Sequence, residues 1–366
     1  MADLRPKQIE AFIAPYRVEP GRKVRLPKDF PSDAPGKFDK SDAKQAKVAL
    51  ESGVGLLAEY QERLAAQDTY GVLVVIQAID AAGKDGTISH AMSGVNPQGV
   101  EVSSFKVPSA EEQDHDYLWR YARRLPSRGS IGIFNRSYYE ETLVVRVHPE
   151  FLAFEKLPAA SKRGDIWRRR FREINDWERY LTDQGFKIVK LFLNVSKEEQ
   201  RRRFIDRIDE PEKNWKFSAA DAKERARWDD YQKAFSEVLS NTSTEWAPWY
   251  VIPADDKPYA RLLAASAIAH ALQDINPQYP KVSPEAKAAL LEARAALVAE
   301  APAGKSGDPD GTSVSKATAA PKATASAKTT VDGKAPATAK ATADAAPAAD
   351  PKPAKAKTKD KKKSKH

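Results

Sequence analysis

The segment Asp80-Ala81-Ala82-Gly83-Lys84-Asp85-Gly86-Thr87 follows the apolar run VLVVIQAI, Val72 to Ile79, and precedes a helical pattern. A strand, a glycine-rich turn and a helix in that order form the context of a phosphate-binding loop. Backbone N–H groups of such a turn, the helix N-terminus and the Lys84 ammonium would converge on phosphate oxygens. Ala82, Gly83, Asp85, Gly86 and Thr87 are therefore candidate substrate-binding positions beside Lys84. The pattern departs from the usual one at two positions. Ala78 stands where a glycine normally lies five residues ahead of the Gly-Lys pair, and Asp85 replaces the Ser or Thr directly after it. Without that hydroxyl a magnesium ion must lean on carboxylates, which makes Asp80 the metal candidate, directly or through water. A tight strand-to-helix turn with a solvated lysine fits the same residues.

Two further segments carry polar clusters after apolar runs. Ser130 to Phe134 (SIGIF) ends in Asn135-Arg136-Ser137-Tyr138-Tyr139-Glu140-Glu141, where Arg136 is placed to hold phosphate. The alternative is an N-cap at Asn135 or Ser137 followed by acidic first-turn residues that suit the helix dipole. Phe186 to Val195 (FKIVKLFLNV) feeds SKEEQRRRFIDRIDEPEKNWKF, in which Arg201, Arg202, Arg203, Arg207, Lys213 and Lys216 crowd one helix and the turn beyond it. Beside a phosphate site this basic stretch reads as a lid over polyanionic substrate; a solvated helix with Glu–Arg pairs is the alternative. The five His show no metal-ligand spacing. Trp167, Trp177, Trp228, Trp246 and Trp249 sit among apolar spacings and are assigned to the core, not to a base-stacking platform.

The elements that must position these residues alternate between strand and helix. Residues 41–66 carry a helical pattern, and Trp167, Phe171, Ile174, Trp177 and Leu181 form a stripe capped by Asp165 and stopped at Gly185. Ser196 with Glu199 predicts a capping box, and Ser218 with Asp221 predicts another that opens a helix to about Leu239. A last strand, WYVIPA, starts at Trp249. The alternation predicts an α/β fold, a three-layer α/β/α domain with a parallel sheet whose ligands bind beyond the carboxyl ends of the strands. The expected organisation is an extended N-terminal arm (1–40), the main domain (41–282) with its lid at about 201–220, a helix over 283–300, and a disordered tail (301–366).

Composition narrows the function classes. The 366 residues include no cysteine, which excludes thiolate chemistry and disulfides. A mean hydropathy of -0.60 and no long apolar run exclude a membrane span, and MADLRPKQIE lacks a signal-peptide core, so a cytoplasmic protein is expected. The tail carries 14 Lys against 6 Asp, +8 of the chain's net +9, so the body is nearly neutral.

In combination, the loop DAAGKDGT from Asp80, the segment VNPQGVEVSSFKVPS from Val95, the block FNRSYYEE from Phe134, and the run from Ser196 to Phe217 followed by STEWAPWYVIPA from Ser243 resemble the polyphosphate kinase 2 family. These are P-loop kinases that move a phosphoryl group between inorganic polyphosphate and a nucleotide. The resemblance covers about residues 10 to 280 and not the tail. It implies that Lys84 binds phosphate, that Asp80 works with Mg²⁺, and that Arg136 with lid residues such as Arg203 and Arg207 neutralises the transferring group. It also makes Asn135, Glu140, Lys213 and Lys216 substrate-binding candidates. Asn135 stands where the family has an aspartate, which argues against direct metal ligation there. Asn135 with Glu140 five positions on looks like the family's third class, whose members accept both AMP and ADP. Inorganic polyphosphate and AMP, ADP and ATP are thus the expected partners, with a homo-oligomer expected and no membrane. An ATP-using nucleotide kinase and a non-catalytic polyanion-binding protein are the alternatives.

A nucleotide phosphate is already an anionic nucleophile, so the chemistry reduces to aligning two polyanions and spreading their charge, and a sequence poor in His suits it. The tail's charge lies on a chain unable to bury a core, so it should act on polyanion capture and be screened by salt. Truncation after Glu300 is expected to preserve saturating turnover but weaken apparent affinity for long polyphosphate at low ionic strength. Titrations of full-length and truncated protein at low and high salt check this; identical low-salt curves would leave the tail a spacer.

Overall fold

The apolar runs pair into one parallel sheet of five strands: β1 (Gly71–Gln77), β2 (Val100–Ser104), β3 (Ile131–Asn135), β4 (Phe186–Asn194) and β5 (Trp249–Pro253), in the spatial order β2-β3-β1-β4-β5. The computed structural model describes residues 6–36 and 39–300; the expected disordered tail lies outside them. Val72 of β1 is opposite Ile131 of β3 and Lys187 of β4, and every residue of β1 is buried. Because successive strand side chains point to opposite faces, Val72, Val74 and Ile76 enter one core and Leu73 and Val75 the other. The first core is closed by the helices Lys40–Gln67 and Lys257–Ile275, through Leu50, Val54, Leu57 and Leu64 of the one and Leu263, Ile268 and Leu272 of the other. The second is closed by Ile166–Asp183 and Trp228–Thr242, through Phe171, Ile174, Phe235 and Val238. This is the expected three-layer α/β/α arrangement.

Local signals place the helix ends. Asp39 accepts from the N–H groups of Ser41 and Asp42 at 2.6 and 3.0 Å and caps Lys40–Gln67. Asp165 does the same for Trp167 and Arg168, both at 3.1 Å. After Asp183 the chain turns through Gly185 at φ +88°, a left-handed conformation that suits glycine. The helix Pro284–Ala299 starts where expected, with Ser283 Oγ accepting from Ala286 N–H at 3.2 Å, and all its residues are exposed. The whole sheet lies within the unit of residues 1–293. No described helix is long and apolar enough to cross a membrane.

Four expectations are corrected. The N-terminal segment is not simply extended: Pro6–Ile13 is helical and buries Ile9 and Ile13, and only beyond it does Val18 N–H reach Trp249 O of β5 at 2.8 Å. Strand β2 was not anticipated, because it is a sheet edge with no apolar run and largely exposed residues. The helix expected to run from Ser218 to about Leu239 breaks at Arg227 into Ala219–Ala226 and Trp228–Thr242. Ser196 caps the helix Lys197–Asp209, but the reciprocal bond is missing because the Glu199 carboxylate turns to Arg203, 2.7 Å away.

Beneath the carboxyl end of β3 lies a fully buried ion pair. Lys190 Nζ of β4 donates to Glu178 Oε2 at 2.7 Å, to Tyr139 OH at 3.0 Å and to Thr242 O at 2.5 Å. Tyr138 and Tyr139 hydroxyls both donate to Glu178 Oε1, at 2.7 and 2.8 Å. Burial lowers the Lys190 pKa and Glu178 opposes the shift. Such a pair adds little net stability, but removing one partner strands the other charge. Glu178→Ala is accordingly expected to cost about 3–5 kcal/mol, measured as a lower urea midpoint, with a larger loss than Glu178→Gln, which keeps acceptors for both tyrosines.

Candidate active site

The strand order makes the site. The chain leaves β1 over the face that holds Ile88 and Ala91, and leaves β3 over the face that holds Tyr138, Tyr139 and Leu143. The carboxyl ends of these adjacent strands therefore open a crevice of the kind in which doubly wound sheets bind ligands.

From β1 the chain crosses this crevice as residues 78–83 and enters the helix Lys84–Ala91. The loop turns at Ala81 and Gly83, with φ of +62° and +104°. An L-residue in this region costs roughly 1–2 kcal/mol, so Ala81 needs holding. Arg203 does this: Nη1 donates to Ala81 O and Ala82 O at 3.1 and 2.8 Å, Nη2 to Ala254 O and Asp255 O at 2.6 and 3.2 Å, and Nε to Glu199 Oε1 at 2.7 Å. Gln200 Nε2 adds a bond to Asp80 O at 3.0 Å. Arg203, expected to neutralise the transferring group, is buried, holds the loop through the Ala81 and Ala82 carbonyls, and also lines the cleft described below.

Lys84 Nζ folds back onto Ala78 O at 2.8 Å and Ile79 O at 3.4 Å. Burial lowers its pKa, with Asp80 acting in the opposite direction. At the end of β3, Arg136 adopts φ +65°, and its Nη2 donates to Asp80 Oδ1 at 3.0 Å while Nη1 lies 4.0 Å from Glu140 Oε2. Burial works against the Arg136 charge, yet Glu140 and Asp80 raise its pKa on balance. Burial pushes the Glu140 carboxyl above its usual range despite Arg136 and Lys84. Asn135 Nδ2 donates to Asp85 Oδ1 at 2.7 Å, so two unusual residues, one in each sequence block, are bonded to each other.

A cleft of about 690 Å³ runs between the loop, the ends of β2 and β3, and the basic helix. Asp80, Gly83, Lys84, Asp85, Gly86, Asn135, Arg136, Arg203, Arg207 and Lys213 all line it. A smaller chamber of about 50 Å³ holds Glu140, Trp228 and Tyr231, and the Asp80–Arg136 pair and Asp221 border both spaces. Ala82 and Thr87, expected as substrate-binding positions, do not line the larger cleft with their side chains. Both are buried, Ala82 O accepts from Arg203, and Thr87 N–H bonds Gly83 O at 3.0 Å. Of Lys216, the last residue of the turn Pro211–Lys216, only the backbone is described. Sequence reasoning missed Lys106, beyond the unrecognised β2, and Lys257, just past β5, which both line the cleft. The rule that ligands gather beyond strand carboxyl ends was the available signal for Lys257.

Among the described residues no group of three or more His, Asp or Glu could hold a metal ion. Magnesium, however, keeps waters and is normally held by one or two carboxylates plus substrate phosphates. Asp80, one of the carboxylates that line the cleft, fits that mode.

Residues 38–280 match the family described as Polyphosphate kinase 2 (PPK2). The chain is 48% identical over 284 residues to an ADP-polyphosphate phosphotransferase of Rhodopseudomonas palustris, covering 77% of this chain and 97% of that one. It is 43% identical over 280 residues to an AMP/ADP-polyphosphate phosphotransferase of Meiothermus ruber, covering 76% and 99%. The crystal structure of polyphosphate kinase 2 from Arthrobacter aurescens superimposes with a TM-score of 0.64 at 39% identity, over 75% of this chain and 99% of that one. With a phosphate loop, a basic helix and a cation-lined crevice on one parallel sheet, and with matches along nearly the full length of these relatives, the chain belongs to the polyphosphate kinase 2 family.

Proposed function

We propose that the protein transfers a phosphoryl group from inorganic polyphosphate to AMP and to ADP, forming ADP and ATP, in a reversible reaction. The observation that carries the reading is the Asp80–Arg136 pair standing between the 690 Å³ cleft and the Glu140 chamber. It sets a guanidinium and a carboxylate at the wall of a cleft large enough for two phosphate ends to meet. The relatives named for AMP and ADP support the acceptor class.

In the transfer, an oxygen of the acceptor's terminal phosphate attacks the end phosphorus of the chain, one P–O–P bond forms and one breaks, and the shortened chain leaves as an anion. No proton need be removed from the nucleophile, so no base is required. Lys84 meets phosphate from the loop side. Arg136, fixed by Asp80 and backed by Glu140, supplies a preorganised positive charge where negative charge shifts. Arg207 and Lys213 cover the chain from the basic helix. Asp80 would hold the divalent ion that arrives with the phosphates, Mg²⁺ in this reading, and that ion supplies charge neutralisation.

Incubating purified protein with polyphosphate, Mg²⁺ and a nucleotide panel tests the reading: AMP should pass to ADP and then ATP, and absence of product from either acceptor overturns it. Lys84→Ala should lower turnover about a hundredfold or more, the size typical of losing a preorganised electrostatic contact, with the thermal midpoint retained. Glu140→Asn should lower activity with AMP more than with ADP, because a carboxylate at that chamber can hold a hydrated ion or hydroxyl of the shorter acceptor while repelling a longer phosphate chain. An equal loss on both acceptors removes Glu140 from that selection.

A further inference from the structure

The helix Ala219–Ala226 supplies Asp221, Glu224 and Arg225 to the wall of the Glu140 chamber, yet none of its described residues belongs to either hydrophobic core. Polar bonds must hold it in place. On one side Arg225 Nη1 donates to Lys197 O at 2.6 Å and to Gln200 Oε1 at 2.9 Å, which joins it to the base of the basic helix. On the other, Glu224 Oε2 accepts from Tyr231 OH at 2.8 Å and lies 3.0 Å from His148 Nε2. Of these partners His148 alone comes from the segment that follows β3.

His148 is itself firmly placed. It ends the short helix Val144–Val147, whose Val144 lines the chamber. Its backbone N–H donates to Val144 O at 2.9 Å and its carbonyl accepts from Phe151 N–H at 3.0 Å. The side chain is 12% exposed and stacks on Phe151, with ring centroids 5.2 Å apart. The other ring nitrogen, Nδ1, lies 3.2 Å from Glu150 Oε1, and the Glu150 carboxyl is held below its usual range by its own backbone N–H and by His148. Both nitrogens thus face carboxylate oxygens. A neutral imidazole has one N–H and one lone pair, whereas the imidazolium donates from both nitrogens. Only the protonated ring satisfies the two carboxylates together; the neutral ring sets a lone pair against one of them. The other charged groups that reach this cluster are Arg227 at the helix break, acting on Glu150, and Glu140 and Asp80 across the chamber, acting on Tyr231. Burial and the bond to Glu224 push the Tyr231 hydroxyl up, so it remains a donor, and histidine is the side chain that changes charge between pH 5 and 8.

We propose that His148 is a positioning residue for the acceptor chamber: its imidazolium ties Glu224, and with it the helix Ala219–Ala226, to the segment after β3, and loss of the ring proton releases that wall. This rests on the functional reading above for the acceptor that fills the chamber. The tie is present at low pH and lost as pH rises, so acceptor affinity falls in the same direction. KM for AMP and for ADP, measured at pH 6 and pH 8 in the full chain, tests it. At pH 6 His148→Gln should raise both KM values about fivefold, the weight of one partly exposed ion pair, with kcat within twofold of wild type. At pH 8 the two proteins should agree within twofold. The acceptor phosphate also titrates in this range, but equally for both proteins, and the ratio of their KM values removes it. Glu224→Gln, which keeps an acceptor for Tyr231, should converge with wild type in the same way. Hydrogen exchange of the backbone amides over 219–226, expressed as protection relative to the unfolded rate at each pH, reads the tie without turnover. Wild-type protection should fall between pH 6 and pH 8, and that of His148→Gln should already be low at pH 6. This pattern in a protein that transfers nothing to AMP or ADP supports the tie and overturns the functional reading alone. An equal rise in KM at both pH values makes the role of His148 purely structural and overturns the proposal. Protection that is the same in wild type and both variants at both pH values also overturns it.

Discussion

One buried guanidinium ties the site together. Moving a charge out of water is costly unless it is fully hydrogen-bonded and paired, and Arg203 meets both conditions with four backbone carbonyls and Glu199. The bonded groups come from three places: the loop after β1, the turn after β5 and the helix Lys197–Asp209 itself. Any change in the angle of that helix at its base must break several charge-assisted bonds together. The outer part of the basic segment, from Arg207 through the turn Pro211–Lys216, lies beyond this anchor.

A second constraint acts from below. The turn Tyr138–Thr142 carries Glu140 and follows Arg136 directly, and its two tyrosines are bonded to the buried Glu178–Lys190 pair. The site's movable-looking charges are thus mounted on backbone held by bonds that water does not reach. Preorganisation of this kind holds Arg136 in one orientation, as the proposed transfer requires. It also accounts for the unusual pairing of Asn135 with Asp85 across the crevice, which fixes the spacing between the β3 end and the phosphate-loop helix.

Most of the sheet was legible because β1, β3, β4 and β5 are buried and their apolar residues run together. Strand β2 was not, since an edge strand with Glu101 and two serines lacks that pattern. The helix at Pro6–Ile13 escaped notice because eight residues offer too few turns for a periodic signal. In the site, Lys84, Asp80 and Arg136, singled out from two separate sequence blocks, line one cleft. Arg203 is chemically indistinguishable from Arg201 and Arg202 in the sequence, and only its helix face decides that it points into the loop. Ala82 and Thr87 lie in the right motif, but the turn directs them inward. Lys257 lies outside every block singled out in the sequence, and its place in the cleft follows from the carboxyl end of β5.

Ala81 and Arg136 are two non-glycine residues held in left-handed conformations, one in each loop that forms the crevice. Neither conformation is intrinsically favourable, so each is maintained by the contacts around it. A lineage selected only for heat resistance would relax such positions early, since glycine fits that backbone without strain. Glycine would also enlarge the set of shapes each loop samples, and at position 136 would remove the guanidinium outright. The protein's catalytic geometry and its thermal tolerance are therefore opposed at these two positions, and gains in robustness have to come from elsewhere in the chain.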